Sequence, residues 1–584
     1  MPKTVADQLV AQLIDAGVSH IYGIVGDSLN PIVDAIRRTG GSAKGGIDWI
    51  HVRNEEAAAF MAGAEAQLTG KLAVAAGSCG PGNLHLINGL YDAHRSGAPV
   101  LAIASHIPSA QIGSSYFQET HPERLFVECS NYCEMILTAE QAPRVVNSAI
   151  RHSIAGPGVS VIVLPGDVAE FASKAETPSL VLTEKPRVIP NGADVASLAK
   201  AINDAKTVAI FAGFGVQGAH DAVIAFAERI KAPIGHSLRG KEWIQYDNPY
   251  DIGMTGLLGY GAAHAGIHDA DLLILLGTDF PYSQFLPDPS KVVIAQVDAN
   301  AEHLGRRVSV AHPVHGDVLA TLELLTPLVT EKTSTRFLDS MLKKHAKLLD
   351  TVVGTYTDVA NTAPIHPEFA ISVIDELTAD DAVFTADTGM GNVWQARYVT
   401  PTAKRRLIGS YLHGSMANAL PQAIGAQVAY PDRQVVAIAG DGGLSMLLGE
   451  LITATAYELP VKIFVFNNST LGLVKLEMLV DGFPDFGVDV PAVDYAAIAA
   501  GAGFHATRVE DPKTLRDAVG EALAHPGPAL VDIVTDPRAL SLPPAITGGQ
   551  VKGFALAMSK IVLHGGAAEA VKMAQSNIRH VPGL

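Results

Sequence analysis

A chain of 584 residues is too long for a single hydrophobic core and calls for three or four domains. Its composition, 48% hydrophobic and 17% charged, is that of a soluble globular protein, and a formal net charge of −17 argues against whole-protein affinity for nucleic acid or anionic membranes. Three cysteines at unpatterned spacing, Cys79, Cys129 and Cys133, supply neither a disulfide framework nor a zinc motif, so a reducing cytoplasm is expected.

The opening "MPKTVADQLVAQLIDAG" has the spacing of an amphipathic helix and lacks the continuous apolar stretch of a signal peptide. No run approaches the roughly 18 apolar residues of a membrane span. Short apolar runs then alternate with helical patterns: "KLAVAAGS", "PVLAIAS", "VSVIVLPGD", "TVAIFAG", "DLLILLGTD", "KVVIAQVD", "QVVAIAGDGG", "VKIFVFNN" and "PALVDIVTD". Each is nearly continuous in Val, Ile, Leu and Ala, as parallel strands covered on both faces require. Many end in Gly, Ser, Asp or Asn, which cap a following helix and line the carboxyl edge of a sheet, where doubly wound folds bind ligands. The predicted class is therefore α/β, built from doubly wound parallel sheets. Breaks at 176–192, 328–337 and 540–550 divide the chain into domains at 1–182, 183–335 and 336–537, with a tail at 538–584. The first and third domains could share a fold, but no similarity between their sequences shows it.

Taken by residues alone, Glu55 and Glu56 in "HVRNEEAAAF" are first-turn helix glutamates, and Cys79 in "GSCGPG" is a packing cysteine with no activating base. "SSYFQETHP" reads as a loop. "TVAIFAGFGVQGAHDAV" sets Gly213, Gly215 and Gly218 in a G-x-G-x-x-G between strand and helix, the pattern of a dinucleotide site. The acidic partner expected about 20 positions on is missing. "APIGHSLRGKE" offers His236 and Arg239 there instead, which weakens an NAD assignment.

The most informative stretch is "VVAIAGDGGLSMLLGE". An apolar run breaks into Gly440, Asp441, Gly442 and Gly443, and a second run ends at Asn467 and Asn468. Adjacent parallel strands joined by the intervening helical pattern, "LSMLLGELITATAYEL", would bring Asp441 and Asn468 to one sheet edge. A hard divalent cation such as Mg²⁺ takes oxygen ligands and commonly bridges protein to phosphate. The glycines leave bare backbone N–H groups at a helix start, where a diphosphate is favoured. Further on, the segment from Val551 carries Lys552, Lys560, Lys572 and Arg579 against Glu569, so 4 − 1 = +3, with apolar residues at helical spacing (Phe554, Met558, Ile561, Val562, Val571, Ala574, Ile578). Such a segment either docks on its own protein or lies on an anionic lipid surface.

"GDG…NN" resembles the signature of thiamine diphosphate enzymes. The resemblance continues through "GDSLNPIVDAI", "RNEEAAAFMAGAEAQLTGKLAV", "GSCGPGNLHLINGLYDAHRSGAPVLAIASHIPS", "IGSSYFQETHP", "NPYDIGMTGLLG", "GTDFPY", "HGSMANALPQAIGAQ" and "PPAITGGQVKGFALAM", and is strongest to the pyruvate:quinone oxidoreductases of the pyruvate oxidase family. It implies pyrimidine-binding, central FAD-binding and diphosphate-binding domains. Glu55 would hydrogen-bond the cofactor's aminopyrimidine, with Glu56 as its rival, and Asn54 stands where the family commonly has His. Phe117 and Gln118 would lie over the reacting ring and meet substrate. Gly414, Ser415 and the wedge Met416, with Gly442, Gly443, Ser469, Thr470, Leu471, Gly472, Leu473 and Val474, would surround thiamine diphosphate. Leu473 replaces a larger aromatic of some relatives. Mg²⁺ would sit on Asp441, Asn468 and the Thr470 carbonyl. FAD would meet Gly213, Gly215, Thr255, Gly256, Leu257, Leu258, Thr278, Asp279, Phe280, Pro281, Tyr282 and Asp298.

The activity so implied is oxidative decarboxylation of pyruvate to acetate and CO₂, with electrons passing through FAD to a membrane quinone. The resemblance also implies a homo-oligomer, at least a dimer and more often a tetramer, with the cofactor between chains, and a C-terminal tail touching the inner face of the cell membrane. The alternatives are a carboligase of the acetolactate synthase type, a phosphate- and O₂-dependent oxidase, and a catalytically silent regulatory subunit.

Overall fold

The computed structural model describes residues 3–174, 176, 179–182, 186–539, 556–557, 560, 571–573 and 576–577. Among the described residues nineteen strands form three sheets. The first comprises β1 (His20–Gly23), β2 (Asp48–His51), β3 (Ala73–Gly77), β4 (Val100–His106), β5 (Tyr132–Met135) and β6 (Val159–Pro165), in the order β2-β1-β3-β4-β6-β5. The second comprises β7 (Val208–Ala212), β8 (Ile234–His236), β9 (Asp251–Met254), β10 (Tyr260–Gly261), β11 (Leu272–Leu276), β12 (Val293–Asp298) and β13 (His312–His315), in the order β10-β9-β8-β7-β11-β12-β13. The third comprises β14 (Val383–Ala386), β15 (Arg406–Gly409), β16 (Val435–Gly440), β17 (Lys462–Asn467), β18 (His505–Val509) and β19 (Ala529–Val534), in the order β15-β14-β16-β17-β19-β18.

The third sheet repeats the strand order of the first position for position, so the two outer domains share a fold that their sequences conceal. All pairings are parallel except β9 with β10, a short hairpin at the edge of the central sheet. Strands such as β3, β4, β7, β11 and β17 are buried along their whole length, which explains their unbroken apolar runs.

The outer domains are fused through helices Glu55–Thr69 and Ala419–Ala429, both rich in alanine. A side chain at Gly425 would come within 2.3 Å of the Met61 carbonyl, so the glycine is what lets the two helices touch. One continuous apolar core runs across this contact from Ala75 and Val161 of the first sheet to Ala437 and Val465 of the third. The central domain is tied in by polar bonds. Lys241 Nζ donates to the Ala396 carbonyl at 2.8 Å, Arg406 Nε to Glu242 at 2.9 Å, and Arg239 to the Ser96 carbonyl at 3.0 Å.

One expectation fails locally. The helical pattern after Asp441 is not a single helix but two, Asp441–Met446 and Glu450–Ala456, parted at Gly449, a residue of low helix propensity. The break sets Glu450 at the start of the second helix. Within the tail, residues 556–557, 560, 571–573 and 576–577 are helical, and Ala557 and Met573 pack on Leu476 and Leu479 of the helix Gly472–Val480. Phe554, Met558, Ile561, Val562, Ala574, Ile578, Lys552, Arg579 and Glu569 lie outside the described residues.

Candidate active site

In the first sheet the strand order turns back between β1 and β3, the place where doubly wound folds open a crevice. The turn Ser78–Gly82 leaves β3 at that point and enters the helix Pro81–Ser96. Glu55 opens its own helix, capped by Asn54, whose side chain accepts from the Glu56 N–H at 2.9 Å. The Glu55 carboxylate is 6% exposed; one oxygen lies 2.9 Å from His85 Nδ1. The other lies 3.0 Å from where a Cβ on Gly82 would stand. Two residues earlier, Gly80, at φ +70, leaves room for Gln118, whose Cβ and carbonyl would lie 2.9 Å from a Cβ there. A single turn thus touches both Glu55 and Gln118. Phe117 beside it is 78% exposed. Glu56 is committed elsewhere: Asn88 Nδ2 donates to it at 2.7 Å and also to Ser415 Oγ at 2.9 Å.

In the third sheet the order turns back between β14 and β16. Asp441 follows β16 and Asn468 follows β17, and the register pairs Gly440 with Phe466, so both residues stand at one sheet edge. The Asp441 carboxylate accepts from Gly442 N–H at 2.8 Å and Ser469 N–H at 2.6 Å. Asn468 Oδ1 accepts from Thr470 N–H at 3.1 Å, and Ser469 is held at φ +52. Burial raises the Asp441 carboxyl to about 6, with the two N–H donors pulling the other way. A cation beside this carboxylate would offset its desolvation. Among the described residues no group of three or more His, Cys, Asp or Glu is arranged to hold a metal ion, and a metal here would draw on the Asp441 carboxylate, the Asn468 amide oxygen and the Thr470 carbonyl. That all-oxygen set fits Mg²⁺.

The glycines of this loop are close-approach residues. A Cβ on Gly442 would meet Leu471 Cδ2 at 2.7 Å and Met416 Cε at 3.5 Å, so the Met416 wedge and the loop after Asn468 converge on Asp441's neighbour. A Cβ on Gly443 would lie 2.4 Å from the carboxylate of Asp387. Gly414 adopts φ +78, and Ser415 N–H donates to Ser410 Oγ at 2.9 Å. Gly472 is buried, Leu473 half-buried, and Val474 42% exposed.

Four side chains that the sequence left unassigned are structurally central. Asp387, at the end of β14, accepts from Ala419 N–H at 2.9 Å and Gly440 N–H at 3.3 Å and so ties the 414–418 loop to the Asp441 loop; burial raises its carboxyl to about 7. Its signal was an Asp ending an apolar run, as at Asp441. Glu450 accepts from Arg53 N–H at 2.9 Å and Asn54 N–H at 3.0 Å, which fixes the start of the Glu55 helix from the third domain. His85 touches Glu55. His413 Nε2 meets Asn88 Oδ1 at 2.8 Å. Among the described residues no hydrogen bond or ion pair joins Glu55 to the Asp441–Asn468 loop within one chain; the chain carries two candidate half-sites, whose surroundings are linked through Glu450 and Asn88.

In the central sheet the order turns back between β7 and β11. Gly213 and Gly215 follow β7, and a Cβ on either would strike Thr278 or Gly277 at 2.4–2.6 Å, so the G-x-G brings two predicted flavin stretches together. Thr255 Oγ1 is buried without a partner among the described residues, and Gly256 at φ +112 sits against Phe280. An unpartnered hydroxyl between a permissive glycine and Phe280 fits a polar ligand such as a flavin. Leu257 is exposed, Leu258 half-buried against the third domain's core, and Pro281 and Tyr282 line the surface beyond Phe280. Asp279 is engaged by Arg306 and Arg307; burial alone would raise its carboxyl, but hydrogen bonds from both guanidinium groups outweigh it and hold it low. Asp298 accepts from Asn300 N–H at 2.8 Å and contacts His303 Nδ1 at 3.1 Å.

Two half-sites on sheets of equal topology, flanking a third α/β domain, define a three-domain cofactor enzyme. Residues 3–125 match the N-terminal TPP binding domain of thiamine pyrophosphate enzymes, 195–325 their central domain, and 387–533 their C-terminal TPP binding domain. The chain belongs to this thiamine pyrophosphate enzyme family. It is 35% identical to the putative thiamine pyrophosphate-containing protein YdaP of Bacillus subtilis over 96% of each chain. It is 30% identical to a pyruvate oxidase of Lactiplantibacillus plantarum, over 92% of this chain and 89% of that one. Identity to a probable acetolactate synthase large subunit of Methanococcus aeolicus is 31%, over 92% of this chain and 93% of that one.

Proposed function

We propose that this enzyme oxidatively decarboxylates pyruvate: pyruvate, water and an oxidised quinone give acetate, CO₂ and the quinol. The observation that carries the substrate class is the Ser78–Gly82 turn, which packs against Glu55 on one side and Gln118 on the other, so that a proton-handling carboxylate and a polar substrate contact share one scaffold. Thiamine diphosphate supplies the electron sink that lets a 2-oxo acid lose CO₂. Glu55, buried beside His85, is placed to hold or pass a proton at the pyrimidine end of that cofactor. Asp441, Asn468 and the Thr470 carbonyl would hold Mg²⁺ and through it the diphosphate, while Met416 and Leu471 set the floor. Phe117, largely exposed on the single chain, would shield the reacting carboxylate from water once a second chain covers it.

FAD at the β7–β11 crevice, around Thr255, Gly256, Thr278 and Asp298, would receive the two electrons. The basic charge of the tail supports a quinone at a lipid surface as the next acceptor, and the working enzyme would then lie at the inner face of the cell membrane. An oligomer that apposes Glu55 of one chain to the Asp441 loop of another would complete the site, a reading supported by the lack of any hydrogen bond or ion pair between them among the described residues. The second reading is a carboligase, favoured by similarity to acetolactate synthases across the same length of chain. Product analysis separates them. Pyruvate supplied with thiamine diphosphate, Mg²⁺, FAD and a water-soluble quinone should yield acetate and quinol in equal amounts; acetolactate without quinol would replace this reading by the second.

A further inference from the structure

Cys79 has so far carried no role, yet it is 4% exposed and its thiol donates to Gln118 Oε1 at 3.3 Å. The sulfur is held in place by its own backbone. Cys79 N–H donates to Ser28 Oγ at 3.1 Å; that hydroxyl lies 2.7 Å from Ser105 Oγ, which donates to the Gly77 carbonyl at 3.0 Å. Residues after β1 and β3 and within β4 thus fix the thiol through one buried hydroxyl network. Gln118 is held from the other side as well. Its φ of +61 is rare for a residue with a side chain, and the missing Cβ of Gly80 lets it approach. The turn before it is closed by Glu119, which accepts from the N–H groups of Gly113 and Tyr116.

A carboxamide has an acceptor end and a donor end, and untethered it can present either. Here the thiol occupies the acceptor, and among the described residues the Nε2 amide has no partner. We propose that Cys79 is a positioning residue that turns the Gln118 carboxamide so that its NH₂ end meets the carboxylate of a 2-oxo acid substrate. The inference rests on the substrate reading above. A carbonyl oxygen aimed at a carboxylate would repel it, so the tether selects against the wrong orientation as well as for the right one.

The test compares Cys79→Ala and Cys79→Ser, each with Gln118 present and in the Gln118→Ala background, in steady-state turnover of pyruvate by the holoenzyme. Cys79→Ala should raise the KM for pyruvate about 3- to 10-fold, the size expected of one neutral hydrogen bond, with kcat changed less than about twofold. Cys79→Ser, whose hydroxyl can donate to the same oxygen, should return KM to within about twofold of the parent. In the Gln118→Ala background Cys79→Ala should change nothing. An unchanged KM, or an equal rise with and without Gln118, overturns the proposal. Crystal structures of the parent and Cys79→Ala holoenzymes give a readout independent of substrate identity: the Gln118 carboxamide should leave its place when the thiol is removed. If it stays, the proposal fails even where the substrate reading stands; if the parent enzyme does not turn over pyruvate while the carboxamide moves, the substrate reading fails alone.

Discussion

Glu450 offers the sharpest test of how the half-sites are coupled. Its side chain is 1% exposed, and one carboxylate oxygen accepts from both Arg53 N–H and Asn54 N–H, at 2.9 and 3.0 Å, while the other accepts from Thr453 Oγ1 at 2.7 Å. Burial raises this carboxyl, and the three donors partly restore it. Glu450→Ala strips two backbone donors of their acceptor, each costing roughly 1–3 kcal/mol when buried. Both bonds are only part-buried, so the lower half of the resulting range applies, about 2–4 kcal/mol. Glu450→Gln keeps an acceptor oxygen in place and loses only the charge assistance, about 1 kcal/mol. Thermal unfolding of the two variants should therefore rank parent, Gln, Ala, with the Ala variant lower by at least about 2 °C, since the outer domains share one core. Because the freed backbone immediately precedes Glu55, the Ala variant should also bind thiamine diphosphate more weakly in a calorimetric titration. An Ala variant that melts with the parent and binds the cofactor equally well would refute the coupling.

Gly82→Ala places a methyl 3.0 Å from the Glu55 carboxylate, with Ser78 and the Gly77 carbonyl carbon behind it. It should fold normally yet lower kcat/KM about 10- to 100-fold by displacing Glu55, and unaltered kinetics would show that the contact does not matter. Gly425→Ala drives a methyl to 2.3 Å from the Met61 carbonyl, which is backbone and cannot swing aside, so a loss of at least about 2 kcal/mol is expected in chemical unfolding. Asp92 is buried against the third domain, where Gln422 Nε2 donates to it at 3.1 Å, and burial raises its carboxyl from 3.8 to about 7. Between those values the folded chain holds a proton that the unfolded chain has lost, so this group's contribution to stability falls as pH rises, by up to about 1.4 kcal/mol per unit. Melting curves from pH 5 to 8 should therefore slope downward less steeply in Asp92→Asn than in the parent, and equal slopes would contradict the assignment. Asp441→Ala should abolish Mg²⁺-dependent cofactor binding, seen as loss of the calorimetric signal; retained binding would move the metal site elsewhere.

The nine apolar runs read from the sequence are all strands, because a strand buried on both faces must be continuously apolar. Of the other ten, buried ones such as "VFTA" were too short to stand out, and others escaped notice for the opposite reason. "DWIH", "YCEM", "HPVH" and "HATRV" are short, partly exposed and polar, and only their neighbours in the sheet make them strands. The adjacency of Asp441 and Asn468 was legible from spacing alone. The roles of Asp387, Glu450 and Cys79 were not, since each acts on backbone or side chains far away in sequence: Glu450 reaches back nearly 400 positions. The equivalence of the outer domains lies in strand order, which composition does not encode. Met416 and Leu471 illustrate the middle ground, apolar residues whose convergence on Gly442 needs coordinates.

The most direct measurement mixes the purified protein with thiamine diphosphate, Mg²⁺, FAD and pyruvate in the absence of oxygen and follows the visible flavin band. Pyruvate should bleach the flavin, a quinone should restore it faster than air does, and Glu55→Gln should prevent the bleaching. Disappearance of pyruvate with the flavin fully oxidised would contradict the redox function and leave the carboligase reading in its place.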